Sequence, residues 1–245
     1  MFILLPPSEG KALGGTSRTH WSPQQGAFGS SLGTLRHSVI AALSGENGGS
    51  STLLGVSGKH LERAQGANLA LVGAPSLPAA ERYTGVVWGH LDAATLSGRE
   101  RDYALHHIIV LSGLLGAVLA SDPTPDYRLK MGGRLAPFGT MSKWWRHSVS
   151  DAVNSHCAGE LVIDLLPNEH RGAFQPDANV LGGSIAIDIM TKKDDKAGGH
   201  DAKAAKGLLA RHLLTAKNEI RTEKQLAARL AQFSHPLFRI VTKVN

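Results

Sequence analysis

The sequence predicts an α/β fold in which a mixed sheet is interleaved with helices along the whole chain. Short, uninterrupted apolar runs at residues 2–5 and 161–166 are typical of buried strands, since they are too short for an ordinary helix. Apolar residues recur at helical spacing over 141–156 and 202–214, which predicts amphipathic helices. No repeat or linker divides the chain, so we expect a single domain over residues 1–245.

The remaining elements follow from the same patterns. The first strand ends at Pro6-Pro7, because proline offers no N–H to a ladder, and a loop rich in Gly, Ser and Thr follows. Residues 102–120 are strongly apolar and are interrupted by two glycines. The other predicted elements are helices at 35–43, 61–71 and 222–233 and strands at 184–190 and 238–244.

Charge is concentrated at one end of the chain. The 26 basic and 20 acidic residues give a formal net charge of +6. Residues 190–245 hold 12 basic and 5 acidic side chains, a net charge of +7, whereas residues 1–189 carry a net charge of −1. A basic C-terminal part on a near-neutral body indicates a polyanionic partner such as nucleic acid or a phosphate-bearing ligand. An ordinary solvated helix face is the alternative.

Composition also excludes several classes of protein. Cys157 is the only cysteine, so neither an intramolecular disulfide nor a Cys-pair zinc site is possible. No apolar run approaches the length of a membrane span, and Pro6-Pro7 interrupt the apolar start without the features of a signal peptide. We therefore expect a cytoplasmic protein without membrane contact.

Two motifs follow predicted strands and carry groups suited to anion binding or proton transfer. Ser8 and Lys11 come directly after the first strand, and Lys11 can hold a phosphate or carboxylate. Glu169 and His170 follow the strand at 161–166, where α/β proteins commonly place their sites. A polar surface turn is the alternative in both places.

Two further segments are basic. Arg128 and Arg134 flank a glycine pair, next to Tyr127, whose ring can stack and whose hydroxyl can donate a proton. On the predicted helix 202–214, a basic stripe opposes the leucines; it consists of Lys203, Lys206 and Arg211. Structural salt bridges and a solvated helix face are the respective alternatives.

A Gly-x-x-Gly pattern lies within the apolar stretch. Ser112, Gly113 and Gly116 resemble the hairpin of a helix-hairpin-helix element within residues 102–122, whose backbone N–H groups can meet a DNA phosphate. A buried junction is an equal alternative. The twelve histidines show no spacing typical of a metal site, so we expect neither a metal nor another cofactor.

Taken together, these segments resemble the YaaA family of peroxide-stress proteins, in an actinobacterial version. The most specific part is Ser-Gly-Leu-Leu-Gly at 112–116 followed by Tyr-Arg-Leu-Lys-Met-Gly at 127–132. The other matching stretches are residues 4–11, 83–85, 122, 145 and 203–211.

The resemblance implies a cytoplasmic protein that supports survival of hydrogen peroxide and limits intracellular iron. It further implies a YaaA-type α/β fold with a helix-hairpin-helix element and a positively charged cleft, and DNA, including distorted forms, as the partner. Carried over by position, the hairpin is 112–116 and the cleft residues are Lys11, Arg128, Lys206 and Arg211.

Two functions remain from this reasoning. The first is a DNA-binding protein of the oxidative-stress response, which holds duplex or distorted DNA in a basic cleft. The alternative is an enzyme that acts on a nucleoside, nucleotide or other anionic small molecule, such as a hydrolase of an N-glycosidic bond, with Glu169, Tyr127 and Lys11 as catalytic residues. The enzyme hypothesis predicts one pocket in which Lys11, Arg128 and Glu169 meet.

Overall fold

The computed structural model describes residues 1–192, 199–216 and 219–244. Six of the described strands form a mixed sheet in the order β11-β10-β9-β1-β4-β5. Its strands are β1 (Phe2–Leu5), β4 (Ile108–Ser112), β5 (Gly116–Leu119), β9 (Leu161–Asp164), β10 (Gly183–Thr191) and β11 (Phe238–Val244). β1, β4, β9 and β10 run parallel, and β5 and β11 are antiparallel to their neighbours. The predicted mixed α/β architecture is therefore confirmed.

The other strands form two small antiparallel sheets. One has the order β2-β3-β6 and the other pairs β7 with β8. Their bounds are β2 (Thr16–His20), β3 (Pro75–Pro78), β6 (Pro123–Pro125), β7 (Arg134–Leu135) and β8 (Gly139–Thr140).

Helices lie between the strands along the chain. The longer ones are α1 (Gly29–Gly45), α3 (Gly58–Leu69), α6 (Gly98–His107), α7 (Met141–His156), α9 (His200–Leu214) and α10 (Glu223–Leu230). The shorter ones are α2 (Ser51–Leu54), α4 (Ala79–Arg82), α5 (Val86–Leu91) and α8 (Asn168–Arg171), with a 3-10 turn at Ala93–Thr95. No helix within the described ranges is long and apolar enough to cross a membrane.

The sheet centre explains the apolar runs in the sequence. β1 pairs with β9 on one side and β4 on the other, so that Ile3 lies opposite Ile163 and Ile108. All four residues of β1 and all four of β9 are buried. Strands covered on both faces need apolar residues at every position, which is why these runs do not alternate.

The helix-hairpin-helix expectation is wrong. α6 ends at His107, and the following residues form the antiparallel β4–β5 hairpin, in which Ser112 pairs with Gly116. A Gly-x-x-Gly turn fits a tight hairpin between two helices as well as one between two strands. The β-branched residues at 108–110 favour a strand, and Ile108–Ser112 pairs with β1 in the sheet. Gly116 has φ +69°, and a Cβ there would approach the Trp145 ring within 2.9 Å.

Close packing of α9 on α5 sets the position of the basic helix. A Cβ on Gly207 would lie 2.2 Å from the carbonyl oxygen of Val87, so only glycine allows this approach. The contact fixes α9 beside the carboxyl ends of the parallel strands. It also places Lys206, which directly precedes Gly207, and Lys203, which lies about one turn earlier on α9.

We expect the fold to lose stability on acidification below the ordinary pKa of histidine. Burial between Tyr103 and Phe2 lowers the pKa of His107, whose ring stacks 3.9 Å from the Tyr103 ring centroid. The unfolded chain therefore binds a proton at higher pH than the folded chain. This contribution is complete above about pH 6.5 and is lost as pH falls through the lowered folded pKa.

Urea unfolding followed by tryptophan fluorescence at about pH 7.5 and about pH 5 measures this effect. The loss on acidification should shrink in His107→Asn and persist in the exposed control His147→Gln. A His107→Asn protein with the full acid sensitivity would contradict the assignment.

Candidate functional site

The loops that leave β1 and β9 lie side by side at one edge of the sheet, because these strands are parallel neighbours. Residues 6–11 follow β1, and residues 165–171, which include α8, follow β9. The next parallel strand, β10, brings Asp188 to the same edge. The topology thus brings together two motifs that are more than 150 residues apart in the sequence.

Lys11 lies in the wall of a cleft formed by these loops. Its Nζ is 4.1 Å from the ring centroid of Tyr127 and donates a 3.0 Å hydrogen bond to the Ser8 carbonyl oxygen. It forms no ion pair with any residue in the described part of the chain. Burial lowers the pKa of Lys11 to about 8, although Glu9 and Asp126 act in the opposite direction. An enclosed ammonium group without a carboxylate partner is suited to binding an anion.

Ser8 shapes the turn beside Lys11. Its hydroxyl donates a hydrogen bond to the Gly10 carbonyl oxygen, and the residue is only partly exposed. A Cβ on Gly85 would lie 2.5 Å from the Ser8 Cβ, so the start of α5 approaches this turn closely. Ser8 therefore contributes to the cleft wall, and its contact with an anion stays a prediction.

Tyr127 contributes its ring rather than its hydroxyl to the site. The hydroxyl is buried and forms hydrogen bonds of 2.7 Å with Ser112 Oγ and 2.8 Å with Tyr83 Oη. Burial raises the pKa of Tyr127 to about 12. The prediction that this hydroxyl donates a proton to a ligand does not fit these contacts. The ring supports Lys11 through a cation–π contact instead.

Arg128 is fixed in the same wall by three contacts. Its backbone N–H donates to Asn68 Oδ1 at 2.8 Å, and its Nε donates to the Leu54 carbonyl oxygen at 2.8 Å. Its Nη2 pairs with Glu9 at 2.7 Å. The guanidinium group is therefore partly neutralised, and Lys11 carries the uncompensated charge.

Glu169 lies opposite, on α8. Its Oε1 accepts a 2.5 Å hydrogen bond from the backbone N–H of Gly132, where a Cβ would collide with the carboxylate. Gly132 thus positions Glu169, and the residue is otherwise exposed to the cleft. One carboxylate oxygen remains available to accept a proton or a hydrogen bond.

A network of charges lies beneath α8. Arg171 binds Asp164 at 2.9 Å and Asp188 at 2.6 Å, and Lys243 binds Asp188 at 2.8 Å. Both carboxylates are therefore already paired with cations. Arg171 in turn holds α8, and with it Glu169, against the sheet.

Lys206 is the unpaired cation near this network. It forms no hydrogen bond or ion pair with the residues that the structure describes. Burial, together with the charge of Arg171, lowers the pKa of Lys206 to about 8 against the attraction of Asp164 and Asp188. Lys206 is thus a second enclosed ammonium group suited to an anion.

These residues line one cleft with two connected chambers that share Pro7, Ser8, Glu9, Glu169 and His170. The smaller, about 190 Å³, contains Lys11, Tyr127, Arg128 and Lys130. The larger, about 590 Å³, has one wall with Lys203 and Lys206 and another that is largely apolar, with Val86, Val87 and Trp88. Lys11, Arg128 and Glu169 therefore meet in one pocket, as the enzyme hypothesis predicts.

The hairpin residues do not belong to the site. Ser112, Gly113 and Gly116 are all buried, and the Ser112 hydroxyl accepts hydrogen bonds from the backbone N–H groups of Leu114 and Leu115. The sheet and the turn enclose these residues, so their expected contact with a phosphate stays a prediction that this burial does not favour.

Two predicted basic residues lie outside both chambers. Arg134 is exposed on β7 and approaches Thr140 at 3.4 Å. Arg211 donates hydrogen bonds of 2.8 and 2.7 Å to the carbonyl oxygens of Leu91 and Asp92 at the end of α5. The Nη1 group of Arg211 therefore caps the end of α5 and holds this side chain outside both chambers.

Two residues of the site, Trp88 and Arg171, were not assigned a role from the sequence, whereas His170 was. Trp88 lines the larger chamber and donates a 3.1 Å hydrogen bond to the Pro6 carbonyl oxygen. Arg171 positions α8, and His170 lines both chambers. In the sequence, only position could have indicated them: Arg171 follows a predicted strand, and Trp88 lies next to the family motif at 83–85. Within the described ranges, no group of three or more His, Cys, Asp or Glu side chains is arranged to hold a metal ion.

Comparison with known proteins gives a consistent family. The family model described as Peroxide stress protein YaaA matches residues 1–236. A UPF0246 protein of Streptomyces coelicolor is 32% identical over 218 residues, which cover 87% of this chain and 83% of the relative. A UPF0246 protein of Corynebacterium efficiens is 35% identical over 237 residues, covering 93% and 90%. Their names state no ligand or reaction.

Proposed function

This chain belongs to the peroxide stress protein YaaA family, and we propose that it is an enzyme acting on a nucleotide or similar anionic small molecule. The observation that carries the proposal is the meeting of Lys11, Arg128 and Glu169 in one enclosed pocket. The combined chambers have the size typical of small-molecule sites. Of the two enclosed ammonium groups, Lys206 supplies charge for a phosphate or carboxylate, and Lys11 is available for proton transfer.

Hydrolysis of an N-glycosidic bond is the reaction that fits these groups best. In the proposed step a water oxygen bonds to the anomeric carbon and the bond from that carbon to the base nitrogen breaks. Glu169 accepts a proton from the water, and the Lys11 ammonium group donates a proton to the departing nitrogen. The pKa of Lys11, about 8, suits an ammonium group that gives up and regains a proton near neutral pH.

The test is release of free base from a panel of nucleosides and nucleoside 5′-monophosphates, followed by chromatography. We expect release from at least one 5′-monophosphate, and loss of release in Glu169→Gln by roughly 100-fold or more. The exposed Glu62→Gln on α3 is the matched control. Failure of every nucleotide in the panel to bind or react would overturn the proposal.

DNA binding is the second candidate, favoured by the exposed Lys203 at the cleft and by the +7 charge of residues 190–245. In this alternative the DNA backbone would lie across the larger chamber and would not contact the hairpin at 112–116. It predicts gel-shift affinity for duplex, bubble or junction DNA that falls steeply with salt, because phosphate contacts release counterions. Either activity would serve the response to hydrogen peroxide for which the family is named. We propose that limitation of intracellular iron is a later consequence of that response.

A further inference from the structure

His170 occupies the junction of the two chambers, and the reaction proposed above does not use it. It lies on α8 between Glu169 and Arg171, and it lines both the smaller and the larger chamber. A ligand that spans the cleft would therefore pass this imidazole ring. Its two ring nitrogens are in very different surroundings.

One ring nitrogen is sealed and the other is accessible. Nδ1 is buried and has no hydrogen-bond partner in the described part of the chain. Nε2 is not among the enclosed atoms and also forms no hydrogen bond with the described residues. Nε2 is therefore the only polar atom of this side chain that a ligand in the cleft can reach.

The surroundings also keep the ring neutral. Burial lowers the pKa of His170 to about 4, and the nearby ammonium group of Lys206 acts in the same direction. The charge of Glu169 acts in the opposite direction and favours the imidazolium form. At neutral pH one ring nitrogen thus carries a proton and the other carries a lone pair.

The burial of Nδ1 determines which ring nitrogen carries the proton. A buried N–H group without an acceptor is among the rarest features of folded proteins, whereas an unsatisfied acceptor is tolerated more often. The lone pair is therefore placed on Nδ1 and the proton on Nε2. This placement of the proton follows from the burial of Nδ1 and the accessibility of Nε2.

We propose that His170 is a neutral hydrogen-bond donor, whose Nε2–H binds an acceptor oxygen or nitrogen of the ligand at the junction of the chambers. It is not the base of the reaction, since its lone pair is sealed from the cleft. The inference about ligand contact rests on the proposed small-molecule function, whereas the tautomer does not. Together with Lys206, this donor would hold an oxyanion without competing for its proton.

Long-range ¹⁵N NMR of histidine-labelled protein tests the tautomer directly. The signals of His170 are identified by their absence in His170→Gln. We expect the neutral Nε2–H form from about pH 5.5 to about pH 8, with no titration near the ordinary histidine pKa of about 6.5. Protonation at Nδ1, or a titration near that value, would overturn the proposal whether or not the protein is an enzyme.

Calorimetric titration with AMP tests the ligand contact. Gln places an amide N–H near the position of Nε2, whereas Asn places one near Nδ1. We expect His170→Asn to weaken AMP binding roughly 10-fold and His170→Gln only about 2-fold, as for loss of one hydrogen bond. Equal losses in both folded variants would contradict the donor role. Absence of AMP binding by the unaltered protein would count against the proposed function and leave the NMR result to decide the tautomer.

Discussion

Replacing Lys206 by methionine is expected to weaken binding of a nucleotide roughly 10- to 100-fold while leaving the fold equally or more stable. The loss of affinity follows because Lys206 is an enclosed cation without a partner in the described ranges. The gain in stability follows because the attraction of Asp164 and Asp188 offsets only part of the cost of burying its charge. A methionine of similar length keeps the packing of α9 and removes the buried charge.

The pH dependence of stability gives an independent check of the same residue. The pKa of Lys206 is lowered to about 8 in the folded chain, below the ordinary lysine value. Between about pH 8 and about pH 10 the unfolded chain therefore binds more protons, so this contribution makes stability rise with pH. Below about pH 8 the destabilising effect is complete, and Lys206→Met should remove it by on the order of 1 kcal/mol.

The measurements are isothermal titration with AMP and urea unfolding at about pH 7 and about pH 9.5. Lys224→Met on α10 is the matched control, because Lys224 is exposed and lies outside both chambers. The control should change neither quantity. A Lys206→Met protein that binds AMP normally but is less stable would show that the ammonium group is structural.

Replacing Arg36 by methionine is expected to destabilise the fold by about 3–5 kcal/mol. Arg36 is 1% exposed, and its guanidinium group donates to four backbone carbonyl oxygens at 2.8–2.9 Å. These acceptors belong to Leu115, Pro23, Gln25 and Ala117. Methionine would leave them buried without donors, in an interior that water does not reach.

The consequence extends to the hairpin that the sequence reasoning assigned to DNA. Two of the four acceptors lie in the turn and in the second strand, β5, of the β4–β5 hairpin, so Arg36 links that hairpin to α1. Urea unfolding measures the effect, with Arg101→Met as the control for loss of an exposed arginine, which pairs with Glu81 at 3.0 Å. The control should cost less than about 1 kcal/mol. Similar losses in both variants would show that the carbonyl cluster is satisfied in another way.

The basic residues show how far charge alone can predict a site. Arg36 and Arg82 belong to the near-neutral body of the chain and are entirely committed to backbone carbonyl oxygens. Arg211 and Lys243 belong to the basic C-terminal part, yet one caps α5 and the other pairs with Asp188. A count of charges cannot distinguish basic side chains that bind a ligand from those that bond within the fold. The carbonyl oxygens and carboxylates that accept these internal bonds come from distant parts of the chain.

The α/β class, the central strands and the two loop motifs of the cleft, Ser8 to Lys11 and Glu169 to His170, could all be predicted from the sequence. This is because apolar runs and the prolines and glycines after them are local features, read over a few residues. Motifs spread over most of the chain also indicated the family, which the family model matches over residues 1–236.

Long-range contacts set the conformation of the Gly-x-x-Gly segment and the direction of the Tyr127 hydroxyl. The segment became a β-hairpin because β1 offered an open edge for Ile108–Ser112, a neighbour that local pattern does not reveal. The Tyr127 hydroxyl turned inward because Ser112 and Tyr83 lie there to satisfy it. Burial and partners arise from contacts between remote residues. These contacts distinguish Lys11 and Lys206, which form no ion pair with the described residues, from the basic side chains that stabilise the fold.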